Sequence, residues 1–139
     1  MKKQHGFSLT ELMVTIAVAG ILLMIAVPSY QSQIRSTNRG MATACLTEMS
    51  QFMERVYTSS MAYNTYNGAA TVLPELNCRT DLDDQYEFSL NAGETTYTLT
   101  AFPIGSQYAD STCGTLTINQ NGVRSAAGDS SAEKIKSCW

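Results

Sequence analysis

The sequence predicts an α+β protein in which one very long N-terminal helix precedes an antiparallel sheet. Three observations carry that reading. An unbroken apolar run fills Phe7 to Val27, a helical apolar stripe follows it to about Val56, and apolar and polar residues alternate in short segments between Tyr86 and Asn119.

The first run, FSLTELMVTIAVAGILLMIAV, has 21 residues from Phe7 to Val27. As a helix it rises ~31 Å, the thickness of a bilayer's hydrocarbon core. Lys2 and Lys3 precede it and no Lys or Arg follows before Arg35, so the positive-inside bias places the N-terminus in the cytoplasm and the bulk of the chain outside. A cleaved signal peptide, cut before Gly20 after Ala17-Val18-Ala19, is the competing reading. Glu11 inside its short apolar core, and the apolar residues continuing past Gly20, oppose it. Glu11 is the one ionisable side chain between Phe7 and Tyr30. A carboxylate in a membrane helix costs about 2.5 to 3.5 kcal/mol at the centre and less near an end, where the positive end of the helix dipole also favours it. Its presence asks for an explanation.

Pro28 closes the run, but the helical pattern resumes. Ile34, Met41, Cys45, Met49, Phe52 and Val56 share a face, with Ala42, Leu46 and Met53 beside them and Thr47, Ser50, Gln51, Glu54 and Arg55 opposite. One helix from about Phe7 to Ser60 results, its Met-rich stripe buried against a head domain. Met61 to Asp84 has no sustained period and reads as a connecting loop. Tyr86, Phe88 and Leu90, then Tyr97, Leu99 and Ala101, alternate around Asn91-Ala92-Gly93 as a hairpin. Thr115 to Asn119 is a third strand, and Asn121-Gly122 turns into a short segment at Val123. Beyond Arg124 the residues are too small and polar to build a core. Trp139 and Tyr108 are expected to cover the sheet edge or a disulfide, with binding anchors as the alternative reading.

The outward topology makes disulfides the expected state of Cys45, Cys78, Cys113 and Cys138. Of three connectivities, Cys45 with Cys78 and Cys113 with Cys138 are favoured, because the first staples the connecting loop to the helix and the second closes the C-terminal loop. The other two stay open. No Cys-x-x-Cys pair is present, which disfavours a structural zinc site.

Composition narrows the function. The chain has 139 residues, 9 Lys+Arg against 12 Asp+Glu, and a formal charge of -3. That acidic balance opposes a duplex-wrapping protein. His5 is the only histidine, so Ser-His-Asp and Cys-His catalysis have no base in the body of the chain. Asp81, Asp83 and Asp84 read as solvated loop charges, and no enzyme, cofactor or metal is expected.

Lys2-Lys3, then Gly6 followed by Phe7-Ser8-Leu9-Thr10-Glu11-Leu12 and an unbroken apolar helix, resembles the class III leader of type IV prepilins. The resemblance implies cleavage between Gly6 and Phe7 by a prepilin peptidase, N-methylation of Phe7, and pairing of Glu11 with the cationic N-terminus of a neighbouring subunit. Losing Lys2 and Lys3 would leave 7 cations against 12 acids, or -5. Three segments follow: the leader 1–6, a membrane or filament-core helix 7–30, and a periplasmic or extracellular head 31–139. Tyr97 to Ala101, Cys113 to Thr117, Asn121-Gly122 and Cys138-Trp139 are similar to PilE-type minor pilins and their ComP-like relatives. This implies the pilin ladle fold, with the long helix on a four-stranded antiparallel sheet and a disulfide-bounded C-terminal loop exposed on the filament.

The leading expectation is therefore a minor pilus subunit with other pilins, the peptidase and an inner-membrane assembly platform as partners, supporting assembly, adhesion or twitching. It would be held in the inner membrane before entering an extracellular pilus. A DNA receptor for transformation is the alternative, with Arg124, Lys134 and Lys136 as its cations and Arg79 as a fourth. A type II secretion pseudopilin shares the leader, but the sequence carries no evident C-terminal calcium loop.

Overall fold

The computed structural model describes residues 7–139. The leader 1–6, and with it the Gly6 side of the expected cleavage site, lies outside the described residues. The chain divides into two compact units, one ending at Ile34 and the other running Arg35–Trp139.

Helix α1 spans Leu9–Ser60, 52 residues, and continues across Pro28. In the first unit every described residue, Phe7 through Ile34, is exposed. No core forms there because all sides of the helix are apolar and nothing in the unit folds back on it.

In the second unit α1 buries Ala42, Thr43, Cys45, Leu46, Met49, Met53 and Val56. This shifts the expected stripe. Met41 is 41% exposed and Phe52 half-buried, while Ala42, Leu46 and Met53, expected at its flank, are fully covered. A stripe counted from Ile34 starts in the other unit, outside the head's core, and so has its centre displaced around the helix.

The stretch expected as a plain connecting loop contains three short elements. Strands β1 (Thr65–Tyr66) and β2 (Ala69–Ala70) pair around Asn67-Gly68, both at positive φ, the geometry of a two-residue type I′ hairpin. Helix α2 (Asn77–Asp81) follows. Cys78 in α2 is bonded to Cys45, with 5.8 Å between Cα atoms.

The main sheet is antiparallel with order β3-β4-β5-β6: Tyr86–Ala92, Tyr97–Pro103, Leu116–Asn119 and Arg124–Ala126. The expected hairpin is β3 with β4, in a register pairing Phe88 with Ala101 and Leu90 with Leu99. Its inward face contributes Leu99, Ala101, Leu116 and Ile118 to a hydrophobic cluster shared with Leu46, Met49 and Met53 of α1. Between β4 and β5 a 3-10 helix, Gly105–Ala109, begins at a position only glycine can hold. Gly105 has φ +53°, and a Cβ there would lie 2.7 Å from the Asp84 carbonyl oxygen.

Two expectations fail at the C-terminal end. Ala126 is fully buried in β6, and a helix α3 (Ala132–Cys138) follows, in a stretch read as too small and polar to build a core, while the expected Cys113–Cys138 bond is what holds it. Local sequence could not supply it: α3 is held by the Cys113–Cys138 bond, by Ser131 as N-cap and by side chains reaching back to the loop. Tyr108 is 70% exposed and covers nothing, because it is Gln107 that turns inward from the 3-10 helix. Trp139 does lie against β6, its indole Nε1 donating to the Ser125 carbonyl at 3.0 Å.

Candidate functional site

The expected functional residues fall at two places, one in each unit. In the first unit Ser8 precedes α1 and Glu11 closes its first turn. The Ser8 amide donates to Glu11 Oε2 at 3.0 Å and Leu12 N–H donates to the Ser8 carbonyl at 3.3 Å. This is the reach-back half of a capping box, which satisfies an N–H that the helix itself leaves unpaired. It also fixes the carboxylate at the helix's positive end, beside Phe7, which is 80% exposed. Glu11 is exposed, so a cation approaching from outside can reach it.

In the second unit the C-terminal cations have different occupations. Lys134 Nζ donates to the Thr112 carbonyl, tying α3 to the loop before Cys113, while its backbone N–H is capped by Ser131 Oγ. That makes it a structural residue. The Arg124 guanidinium stacks over the Trp139 ring at 5.2 Å and is exposed, and Lys136 is exposed on the last turn of α3. Asp129 lies in the same loop, and hydrogen bonds from the backbone and hydroxyl of Ser131 hold its carboxyl below the usual range, with Lys134 adding a smaller pull. Arg79, the fourth expected cation, stands on α2 and is half-buried. Its Nη1 donates to the carbonyls of Leu73 and Pro74, and Glu75, Asp83 and Glu87 share the surface recesses around it.

Sequence reasoning missed two polar clusters. Arg39 meets Asp110 at 2.6 Å, both largely buried. Gln107 Nε2 donates to the Arg35 carbonyl at 3.0 Å and to the Tyr86 hydroxyl at 3.1 Å, joining α1, β3 and the 3-10 helix. Burial pushes Tyr86 up to about 12, with Asp110 adding to the rise and the Gln107 bond and Arg39 opposing it. In the second cluster Tyr63 and Tyr97 both donate to Glu54 Oε1, at 3.2 and 3.4 Å. Both tyrosines are raised, first by burial and then by the Glu54 charge. Neither cluster has a local signature, since each joins residues from elements far apart in sequence. Glu54 was assigned to the solvent face of α1, yet it sits at that face's border, where a long side chain can reach the tyrosines.

Among the described residues no group of three or more His, Cys, Asp or Glu is placed to hold a metal ion.

Comparison with known proteins adds the following. A family model described as "Type IV minor pilin ComP, DNA uptake sequence receptor" matches residues 28–117, and one described as "Prokaryotic N-terminal methylation motif" matches residues 1–27. A fimbrial protein of Pseudomonas aeruginosa is 46% identical over 50 residues, covering 36% of this chain and 30% of that protein. Prepilin peptidase-dependent protein D of Escherichia coli K12 is 45% identical over 51 residues, 37% of this chain and 30% of that one. A probable minor fimbrial protein of Dichelobacter nodosus is 53% identical over 32 residues, 23% and 20% of the two chains. The matches thus span less than a third of these relatives' length. Among solved structures, the non-core minor pilin PilV of Neisseria meningitidis has a TM-score of 0.51 at 22% identity, covering 73% of this chain and 94% of that one. A type IV pilin of Shewanella oneidensis has a TM-score of 0.49 at 24% identity, covering 70% and 98%. Arg124, Lys134 and Lys136 lie beyond the segment matched by the minor-pilin model.

Proposed function

Since the chain belongs to the type IV minor pilin family whose model carries the description ComP, DNA uptake sequence receptor, we propose how its residues serve a pilus. Prepilin peptidase cuts between Gly6 and Phe7 and the new Phe7 amine is methylated. The helix holds the subunit in the inner membrane with its head outside, until an assembly platform passes it into the extracellular filament. There it supports assembly, adhesion or twitching. The observation behind this is the methylation motif on residues 1–27 joined to a helix whose apolar side chains are all exposed through Val27. Such a surface needs lipid or other helices around it. Glu11, held at the helix start, then meets the Phe7 ammonium of a neighbouring subunit, because two charges excluded from water stabilise the buried state only as a pair. The test is intact and N-terminal peptide mass spectrometry of protein from its native host. The expected chain begins at N-methyl Phe7. A chain beginning at Gly20 overturns the reading and with it the role of Glu11.

The family description favours a second role, binding DNA during uptake. On this chain that role falls to Arg124 and Lys136, since Lys134 is engaged with Thr112. Two cations release few counterions, so the salt slope should not exceed about 2. A gel shift with the detergent-solubilised full chain at low salt tests it. Arg124→Ala with Lys136→Ala should abolish the shift. A shift that survives the double substitution places DNA elsewhere on the head, and no shift for the unaltered chain removes the role.

A further inference from the structure

The outward face of the main sheet carries a regular array that neither the filament role nor the candidate cations use. The register aligns Ser89 of β3 with Thr100 of β4, Thr100 with Thr117 of β5, and Thr117 with Ser125 of β6. Four hydroxyls therefore form one row across all four strands, at the ~4.8 Å strand spacing. Thr117 Oγ1 and Ser125 Oγ are in hydrogen-bond contact at 2.6 Å, which fixes both on the same side. A second row, Asn91, Thr98 and Asn119, runs parallel to the first one pleat away; within it Asn119 Oδ1 already accepts from the Asn121 and Val123 amides of the turn, leaving Asn91 and Thr98 as its exposed members. On the other side of the hydroxyl row stands Phe102, 45% exposed, with Glu87 opposite it on the edge strand.

The charge distribution is as telling as the hydroxyls. The unit from Arg35 onward holds seven Lys+Arg and eleven Asp+Glu, a balance of 7 minus 11 or -4, yet this face carries one charge, Glu87, at its edge. An outward, partly exposed sheet face has no need to be uncharged, and protein surfaces normally carry both signs of charge interspersed. Serine and threonine hydroxyls and asparagine amides each donate and accept, which suits a partner whose own groups do both. A flat, neutral, two-way hydrogen-bonding surface with one exposed aromatic ring matches neither a nucleic acid, which needs cations, nor an apolar helix, which needs a hydrophobic groove.

We propose that this face is a binding surface for an uncharged polysaccharide. The chain of sugar rings lies across the strands along the Ser89-Thr100-Thr117-Ser125 row, roughly one ring per strand, exchanging hydrogen bonds with each hydroxyl in place of water. Asn91 and Thr98 of the second row meet the hydroxyls on one side of the rings, and Phe102 takes the apolar C–H face of one of them. Neutrality of both partners is the complementarity: binding should be indifferent to salt, in contrast to any contact made by Arg124 and Lys136.

Co-sedimentation of the detergent-solubilised full chain with microcrystalline cellulose and with chitin tests this, using polygalacturonate-coated beads as the acidic control. An unassembled chain makes the result independent of whether pili form. The unaltered chain is expected to sediment with at least one neutral polysaccharide, equally at 50 mM and 500 mM NaCl, and not with the acidic beads. Thr100→Val with Thr117→Val keeps shape and β-propensity while removing two central hydroxyls, and should cut the bound fraction about tenfold, as should Phe102→Ala. Thr100→Ser with Thr117→Ser should retain binding. Circular dichroism and disulfide-intact mass verify that each variant is folded. No sedimentation of the unaltered chain above a serum albumin control overturns the proposal. So does binding unaffected by the valine pair and Phe102→Ala, or binding that salt abolishes.

Discussion

Arg39 and Asp110 lie 71 positions apart in sequence and meet at 2.6 Å, with side chains 17% and 9% exposed. Asp110 Oδ1 also accepts from the Cys113 amide at 3.4 Å, so one carboxylate links α1 to the turn that carries a disulfide. Truncating Arg39 would leave that carboxylate covered and unbalanced, which for buried pairs costs about 3 kcal/mol. Arg39→Ala should therefore lower the melting temperature by roughly 10 °C, and Arg39→Ala with Asp110→Asn should restore part of the loss. Thermal unfolding followed by circular dichroism measures both, and additive losses would show the pair is not coupled. Little at this scale was legible in advance. Nothing around Arg39 distinguishes it from a solvated helix charge, and Lys134 looked available for a ligand until its contact with Thr112 was seen. Partners distant in sequence decide what a polar side chain does.

Elements were more legible, in proportion to how far their own sequence accounts for them. The β3–β4 hairpin follows from period-two alternation and a turn, and α1 from a helical stripe. The β1–β2 hairpin was read as part of a connecting loop: Asn67-Gly68 forms its turn, but strands of two residues are too short to alternate visibly. Helix α3 has one large aliphatic side chain, Ile135, and depends on Cys113–Cys138 and its ties to the loop. The two disulfides close loops of similar sequence separation, 33 and 25, so each contributes a similar ~3.5 kcal/mol in the chain-entropy description. Their accessibility differs. Cys113 and Cys138 are 1% and 3% exposed, while Cys78 is only half-buried. A thiolate must reach a sulfur to attack it. Under limiting dithiothreitol, alkylation and peptide mapping should label Cys45 and Cys78 before Cys113 and Cys138. The reverse order would mean that α3 opens more readily than the α2 loop.

For the whole molecule, the apolar run, the α+β class and the sheet's antiparallel sense were readable from patterning alone, because hydrophobic period reports directly on which side faces water. The contact network of the head was not. One property of that network is a response to alkali. Tyr63, Tyr86 and Tyr97 are all raised in the fold, by burial first. A raised tyrosine favours the folded state while neutral. Its contribution is complete below the unfolded value near 10 and is lost as pH climbs through the folded one, about 12 for Tyr86. Stability in urea should therefore decline from pH 10 upward. The absorbance rise of tyrosinate at 295 nm should include a step coincident with loss of near-ultraviolet dichroism. Full ionisation with dichroism intact would contradict that linkage.

From Phe7 to Val27 every described residue is exposed within its own unit. Wetting a single large aliphatic side chain costs about 1.5 to 3 kcal/mol, and this segment holds more than ten. A freely diffusing, water-borne form of the subunit is therefore strongly disfavoured against one with lipid or other helices around this segment. On the route proposed above, its passage from membrane to filament is then a hand-over, in which the receiving surface takes hold before the donor lets go.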